Sequence, residues 1–188
     1  MKNSFIAFIL CVFMNTACVT QGIQSQVHDW RNVKNGVEIY TNGYIDQPYV
    51  VVLPNGNWLV VFTTGVGHEG TGGQHIVSSV SKDHGKSWSD PVRIEEPGEE
   101  SKSWAMPYLT DFGRVYVFYD YNGDKIHTLR DQQNIREDML GWYCFKYSDD
   151  NGKTWSKRYR LPVRLTEVDR NNDWKGEVQI LWGIGKPI

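Results

Sequence analysis

The chain has 188 residues, of which 13% are aromatic, and a formal net charge of −2 at pH 7. This charge gives no electrostatic attraction for nucleic acid or for an anionic membrane surface, so neither is expected as a partner. Eighteen glycines, eight tryptophans and ten tyrosines are instead typical of an all-β domain with many tight turns.

Residues 1–22 indicate a secretory signal peptide. Lys2 supplies a positive charge, and residues 5–14 form an apolar stretch that is too short to span a bilayer. Two forms are open: simple cleavage near Gly22, or a lipoprotein signal in which Cys18 carries the lipid. Both predict an exported bacterial protein, which is secreted, periplasmic or anchored in the outer membrane through Cys18. Residues 23–188 then form the mature domain.

The cysteines predict neither a disulfide framework nor a metal site. Cys11 and Cys18 belong to the signal region, which leaves Cys144 alone in a strand-like segment as a small buried apolar residue. The sequence has no CxxC, no HExxH and no phosphate-binding glycine loop, so we expect no metal and no cofactor.

Short strand signals recur along the domain, with Gly or Asn-Gly between them. The first set of predicted strands covers residues 37–41, 49–53, 58–64, 75–81 and 91–95. The second set covers residues 105–110, 114–121, 142–148 and 159–163, and a further strand is predicted at 177–182. Residues 131–140 are assigned to a long loop rather than to a helix.

One eight-residue pattern, S-x-D-x-G-x-[ST]-W, occurs twice, 67 positions apart. Its Asp can accept backbone N–H bonds, its Gly is free to take a positive φ, and its Trp can pack back on the sheet. The recurrence indicates a repeat architecture and a turn-stabilising role rather than a catalytic one. The residues concerned are Ser81, Asp83, Gly85 and Trp88 in the first octet, and Ser148, Asp150, Gly152 and Trp155 in the second.

The octets resemble the Asp-box, or BNR repeat, of the sialidase superfamily. The resemblance implies an all-β, sialidase-like β-propeller, of which this chain holds about two four-stranded blades and the start of a third. It also implies that each octet joins the third and fourth strands of a blade, at the periphery. Because a propeller closes with typically 4–8 blades, we expect the chain to be the N-terminal part of a larger protein and to be inactive alone.

Three segments are candidates for chemistry, because they precede an inner strand or form long loops. They are residues 46–49, the glycine-rich loop 67–75 and the long excursion 120–138. Asp46 has an alternative role as a turn cap before Pro48, and the histidines and arginines have alternative roles as surface residues. The glycines beside His68 and Glu69 favour a ligand-facing loop.

The sialidase resemblance implies a glycan substrate, with Glu69 or Asp46 as acid/base. Predicted substrate contacts are Gln47, His68, His75, Tyr121, Arg130 and Arg136. Sialidases begin their first inner strand with Arg-Ile-Pro, whose Arg grips the sialate carboxylate, whereas this chain has Asp46-Gln47-Pro48. A carboxylate reverses that charge, which favours a neutral or hydroxyl-rich sugar.

Three functions therefore remain open. The first is an exo-glycoside hydrolase acting on terminal sugars, an exo-α-sialidase by resemblance. The second is a polysaccharide lyase using His68 or His75 with Tyr121 as proton-transfer groups, and Arg130 or Arg136 against a uronate. The third is a non-catalytic glycan-binding propeller, for which the predicted stacking platforms are Trp104, Tyr121, Trp142 and Trp174.

Overall fold

The structure is a computed structural model that describes residues 29, 31–128, 134–162, 164–171, 175–176 and 185. The described residues fall into two units. The first ends at Gly36 and contains a 3₁₀ helix, Val33–Asn35, whose N-cap Asn32 accepts a hydrogen bond from the Lys34 backbone N–H (3.1 Å). The second begins at Val37 and contains every strand that the structure describes. The predicted signal peptide and the strand predicted at 177–182 lie outside the described residues.

Within the described residues, eight strands form two separate four-stranded antiparallel sheets, each with its strands in chain order. Sheet 1 contains β1 (Tyr44–Val52), β2 (Trp58–Gly65), β3 (His75–Ser81) and β4 (Val92–Arg93). Sheet 2 contains β5 (Lys102–Leu109), β6 (Val115–Tyr121), β7 (Trp142–Ser148) and β8 (Tyr159–Arg160). The described residues thus form an all-β structure without a closed barrel, and its two sheets fit part of a propeller-like fold.

The strand predictions for β3 and β7 are confirmed to the residue, and β1 and β5 begin earlier than predicted. The strand predicted at residues 37–41 is wrong. That segment is irregular, and Ile39 and Tyr40 pack against a small core on the outer face of sheet 1, formed by Val60, Phe62 and Val77. A short helix, α1 (Glu167–Asn171), was not predicted, although Thr166 and Asp169 form its capping hydrogen bonds.

The main core lies between the two sheets. Sheet 1 contributes aliphatic side chains such as Leu59, Val61 and Ile76, each with no exposed surface, and sheet 2 contributes Val117 and Tyr119. Burial of each such aliphatic side chain stabilises the fold by roughly 1.5–3 kcal/mol. The free Cys144 is buried in this core, and burial raises the pKa of its thiol to about 11, so it is unreactive as a nucleophile at neutral pH.

A buried ionic cluster also joins the sheets. Glu95, just after β4, accepts hydrogen bonds from Arg158 (2.7 and 2.8 Å) and from the Tyr119 hydroxyl, and Lys146 lies 3.4 Å away. Burial alone would raise the pKa of Glu95, but the bonds from Arg158 and Tyr119 outweigh it and the net pKa is lowered. The sheets are therefore held together by charge as well as by apolar contact.

Both octets form the turn that follows the third strand of their sheet. In each, the serine hydroxyl accepts from the glycine N–H, and the Asp accepts from the Ser87 or Thr154 backbone and hydroxyl at 2.5–2.9 Å. These bonds agree with the turn-stabilising role. No described helix is long and apolar enough to cross a membrane.

Candidate functional site

The strands of each sheet end at two opposite sides, which are here called edges and which differ from each other. The octet edge of each sheet carries its octet and the tight turn that joins its first and second strands. The opposite edge, here named the loop edge, carries the starts of β1, β3, β5 and β7 and the ends of β2 and β6. The long β2–β3 and β6–β7 loops emerge there, so the loop edge gathers the candidate residues of all three segments.

The inner strands β1 and β5 begin with the same irregularity. The β1–β2 ladder shifts register between Asp46 and Tyr49, and the β5–β6 ladder shifts between Ser103 and Met106. Inside each shift a residue other than glycine takes a positive φ, Gln47 at 47° and Trp104 at 61°. Strained backbone of this kind costs about 1–3 kcal/mol and clusters at functional sites, which makes the loop edge the candidate site.

Two carboxylates share one guanidinium at the loop edge. The Arg136 guanidinium donates to Asp138 (3.0 and 2.6 Å) and, across to sheet 1, to Glu69 (2.8 Å). Tyr44 connects this group to Asp46. The pKa of the Tyr44 phenol is raised, and burial is the largest cause. The charge of Asp46 and a hydrogen bond with it come next, and the charges of Glu69 and Asp138 add to the effect.

The structure therefore places three of the predicted residues at the loop edge, Asp46, Glu69 and Arg136, and it pairs the last two with each other. The role of Arg136 differs from the predicted substrate contact, because its guanidinium is already paired with two carboxylates. The glycines of loop 67–75 also have a role that differs from the predicted contact with a ligand. A Cβ at Gly70 would meet Arg136 Nε at 2.7 Å, and one at Gly72 would meet Glu137 at 2.5 Å, so the close approach they allow is to the neighbouring loop.

The two histidines are less suited to proton transfer than predicted. The exposed His68 ring is bonded to the Glu69 backbone oxygen (3.0 Å) within its own loop. His75 is half-buried at the start of β3, where burial, followed by the charge of Arg93, lowers its pKa. Tyr121 packs against the core between the sheets, with the Arg158 guanidinium 3.5 Å from its ring centre. Among the described residues, the histidines and Tyr121 predicted for a lyase thus each have other contacts.

The predicted stacking platforms are also covered. Trp104 is 4% exposed, and its indole N–H donates to the Asp138 backbone oxygen (2.5 Å). Trp142 is half-buried beneath the Arg160 guanidinium. Arg130 and Trp174 lie outside the described residues. Stacking on a sugar needs an open ring face, which the buried Trp104 does not offer and of which Trp142 has one covered by Arg160.

Sequence reasoning missed Tyr44 and Thr63, and it named Asp120 only as a member of the long excursion 120–138, without predicting its burial. Asp120 is 2% exposed, neither of its carboxyl oxygens has a hydrogen-bond partner among the described residues, and burial raises its pKa to about 9. The nearby Tyr121 backbone N–H, which lies outside hydrogen-bond geometry, opposes this shift more weakly. Asp120 is therefore a neutral acid at pH 7, and nothing in its sequence neighbourhood signals that burial.

No protein-family model matches the chain, and no curated protein matches it in sequence. Among solved structures, its fold is similar to that of sialidases. A complex of the NanB sialidase from Streptococcus pneumoniae is 12% identical, with a TM-score of 0.55 over 70% of this chain and 39% of that one. A protein of unknown function from Dyadobacter fermentans is 19% identical, with a TM-score of 0.53 over 70% of this chain and 40% of that one. The chain spans about two-fifths of these structures, and at such identities the likeness concerns the fold alone.

Proposed function

We propose that this chain is part of an exported, sialidase-like exo-glycoside hydrolase whose carboxyl pair is Asp46 and Glu69. The observation that carries the proposal is that Asp46, in β1, and Glu69, in the β2–β3 loop, lie at the same strained loop edge, where the charges of both raise the pKa of Tyr44. Glycoside hydrolysis requires a proton donor and a second carboxylate near the scissile bond. The similarity of the fold to sialidases supports a glycan as the substrate class.

The two carboxyl groups are held differently. Glu69 is about half exposed and is fixed by its ion pair with Arg136, so it can reach a ligand from a defined position. Asp46 lies in β1 opposite Thr63 and is half-buried beside Tyr44. Either carboxyl can serve as acid/base, and the other then stabilises the positive charge that develops on the sugar ring.

A neutral or hydroxyl-rich sugar fits this site better than sialic acid. A sialate carboxylate needs an unengaged cation, and Arg136 is already bonded to Asp138 and Glu69. Asp46 occupies the position where the sialidase resemblance expects an arginine. Exo-α-sialidase activity therefore remains the alternative substrate assignment within the same reaction class.

The test is hydrolysis of chromogenic glycosides, a sialoside included, by the full-length gene product. We expect release from at least one neutral glycoside, and we expect Asp46→Asn and Glu69→Gln each to lower kcat by about 10²-fold or more. Asp111→Asn, an exposed change at the octet edge, is the control and should leave kcat unchanged. Glycan binding that survives the double variant, with no turnover in the parent, would instead identify a non-catalytic binding propeller.

A further inference from the structure

Among the described residues, the carboxylates at the loop edge are not all paired with a cation. Glu69 and Asp138 are bonded to the Arg136 guanidinium, whereas no described cation is bonded to Asp46. Lys102, at the start of β5, is buried and paired with Glu100 (3.2 Å). Among the described residues, the Asp46 carboxylate thus has the Tyr44 hydroxyl beside it and no counter-charge.

A second, independent observation comes from Thr63. It stands directly opposite Asp46 in the β1–β2 ladder, so the two side chains lie on the same face of sheet 1. Thr63 is 1% exposed, yet its hydroxyl has no hydrogen-bond partner among the described residues. Nearly all buried hydroxyls are hydrogen-bonded, and an unmade bond is costly. The buried hydroxyl opposite Asp46 is therefore an unpartnered polar group that faces the same side of sheet 1 as the carboxylate.

The polar groups at this site that have no described partner are mainly hydrogen-bond acceptors. The buried Oε1 atom of Gln47, next to Asp46 in the chain, is also without a described partner. The Asp46 carboxylate and this amide oxygen accept hydrogen bonds only, and the Thr63 hydroxyl can accept as well. An ammonium group has a positive charge and three donors and no acceptor, so it matches the set in both charge and hydrogen bonding.

A metal ion matches less well. Among the described residues, no three acidic, histidine or cysteine side chains converge as a metal site requires. An organic cation needs only one carboxylate and neutral acceptors around it. The observations therefore favour an ammonium group carried by a ligand.

We propose that the Asp46, Thr63 and Gln47 site binds the free amine of a 2-amino-2-deoxy sugar residue. This rests on the proposed function, since the glycan class comes from there, and it names the sugar that the site selects. Amino sugars without an N-acetyl group are cationic at acidic and neutral pH, whereas their N-acetyl counterparts are neutral and larger. The site would therefore discriminate between two glycans that differ only at this nitrogen.

The experiment compares the methyl glycosides of glucosamine and N-acetylglucosamine by calorimetric titration of the protein at pH 6. We expect the amine to bind about tenfold more tightly or better, the effect of one charge-assisted hydrogen bond. Asp46→Asn should reduce amine binding to the level of the N-acetyl sugar. Thr63→Val should weaken it by a smaller factor, and Asp111→Asn should leave it unchanged. Melting temperatures of the variants separate loss of binding from loss of folding.

Each outcome decides the matter. Equal affinity for amine and N-acetyl sugar, or a preference that persists in Asp46→Asn, would overturn the proposal. Equal affinity for a blocked lysine would overturn the sugar assignment, because the site would then read any ammonium. Hydrolysis of neutral glycosides without an amine preference would leave the proposed function intact and end this inference. An amine preference with no hydrolysis of any glycoside would support this inference and contradict the proposed function.

Discussion

Sheets 1 and 2 have the same strand order and the same register shift at the start of the inner strand. The residues that differ between them show which positions serve packing and which serve chemistry. A shift of 57 positions superposes the starts of their inner strands, including the positive-φ residues Gln47 and Trp104. At equivalent positions of the two sheets, one cross-strand pair has its carboxyl and its hydroxyl on opposite strands. Sheet 1 has Asp46 opposite Thr63, whereas sheet 2 has Ser103 opposite Asp120. The carboxyl is half-buried beside Tyr44 in sheet 1 and nearly inaccessible in sheet 2, so only sheet 1 offers it to a ligand.

The equivalent faces differ as well. Leu59 and Val61 of β2 are fully buried against sheet 2, and the corresponding residues of β6 are Tyr116 and Phe118. Those two rings are half-buried and belong to a ladder of aromatic contacts on the far face of sheet 2. The same strand position thus carries aliphatic side chains where a sheet covers it and aromatic ones where none is described.

The largest effect is expected from Glu95, because it lies between the sheets rather than within one. Glu95→Gln should lower the free energy of unfolding by about 3 kcal/mol, since Arg158 and Lys146 would then lose their buried counter-charge. Urea denaturation followed by tryptophan fluorescence measures this. Glu96→Gln is the control, because Glu96 pairs with Arg93 at the surface, and it should change the value by less than about 0.5 kcal/mol. Similar values for the two variants would mean that the cluster does not hold the sheets together.

The two octets should respond unequally to the same substitution. Gly152→Ala should destabilise by about 2–3 kcal/mol, because φ is +83° and the new Cβ would lie 2.2 Å from Leu59 in the core. Gly85→Ala should cost about 1 kcal/mol, since φ is similar but the Cβ meets the half-exposed ring of Trp58 at 2.9 Å. Thermal unfolding of both variants gives the difference. A larger loss for Gly85→Ala would contradict the packing of the second octet against sheet 1.

Substitution of Asp120 is expected to have a smaller effect on the free energy of unfolding, and in the stabilising direction. Its folded pKa of about 9 lies above the unfolded value near 3.9, so its contribution to stability is fully present below about pH 4 and is lost as the pH rises toward 9. Asp120→Asn should remove this slope and raise the free energy of unfolding by about 1–2 kcal/mol at pH 8, net of the amide's own unmet hydrogen bonds. Chemical denaturation at pH 5, 7 and 9 tests the sign. A variant that keeps the parent's pH slope would show that Asp120 is ionised in the folded state.

Much of the fold could be predicted from sequence because its signals are local. The boundaries of β3 and β7 follow from the octets that end them, and the turn at residues 54–57 follows from its Pro, Asn and Gly residues. The error at residues 37–41 has a tertiary cause. Ile39 and Tyr40 are apolar because they cover the outer face of sheet 1, and a β-like pattern cannot distinguish that contact from strand pairing.

The candidate site was predicted only in part. Asp46, Glu69 and Arg136 were found because they lie in segments whose composition or length is unusual. The partners of Arg136 and the contact between Tyr44 and Asp46 could not be found, since they depend on how loops of two sheets meet.

By itself, the sequence determined that the chain forms repeated β units, that each octet closes a turn, and where most strands run, because these depend on hydrogen bonds and periodicity within a few residues. Only the tertiary structure decided which polar groups are buried, which carboxylates share a cation and which side chain is left without a partner. Burial and charge pairing depend on distances between segments that are far apart in the chain. The exchange of carboxyl and hydroxyl between Asp46–Thr63 and Ser103–Asp120 became visible only once both ladders were in register.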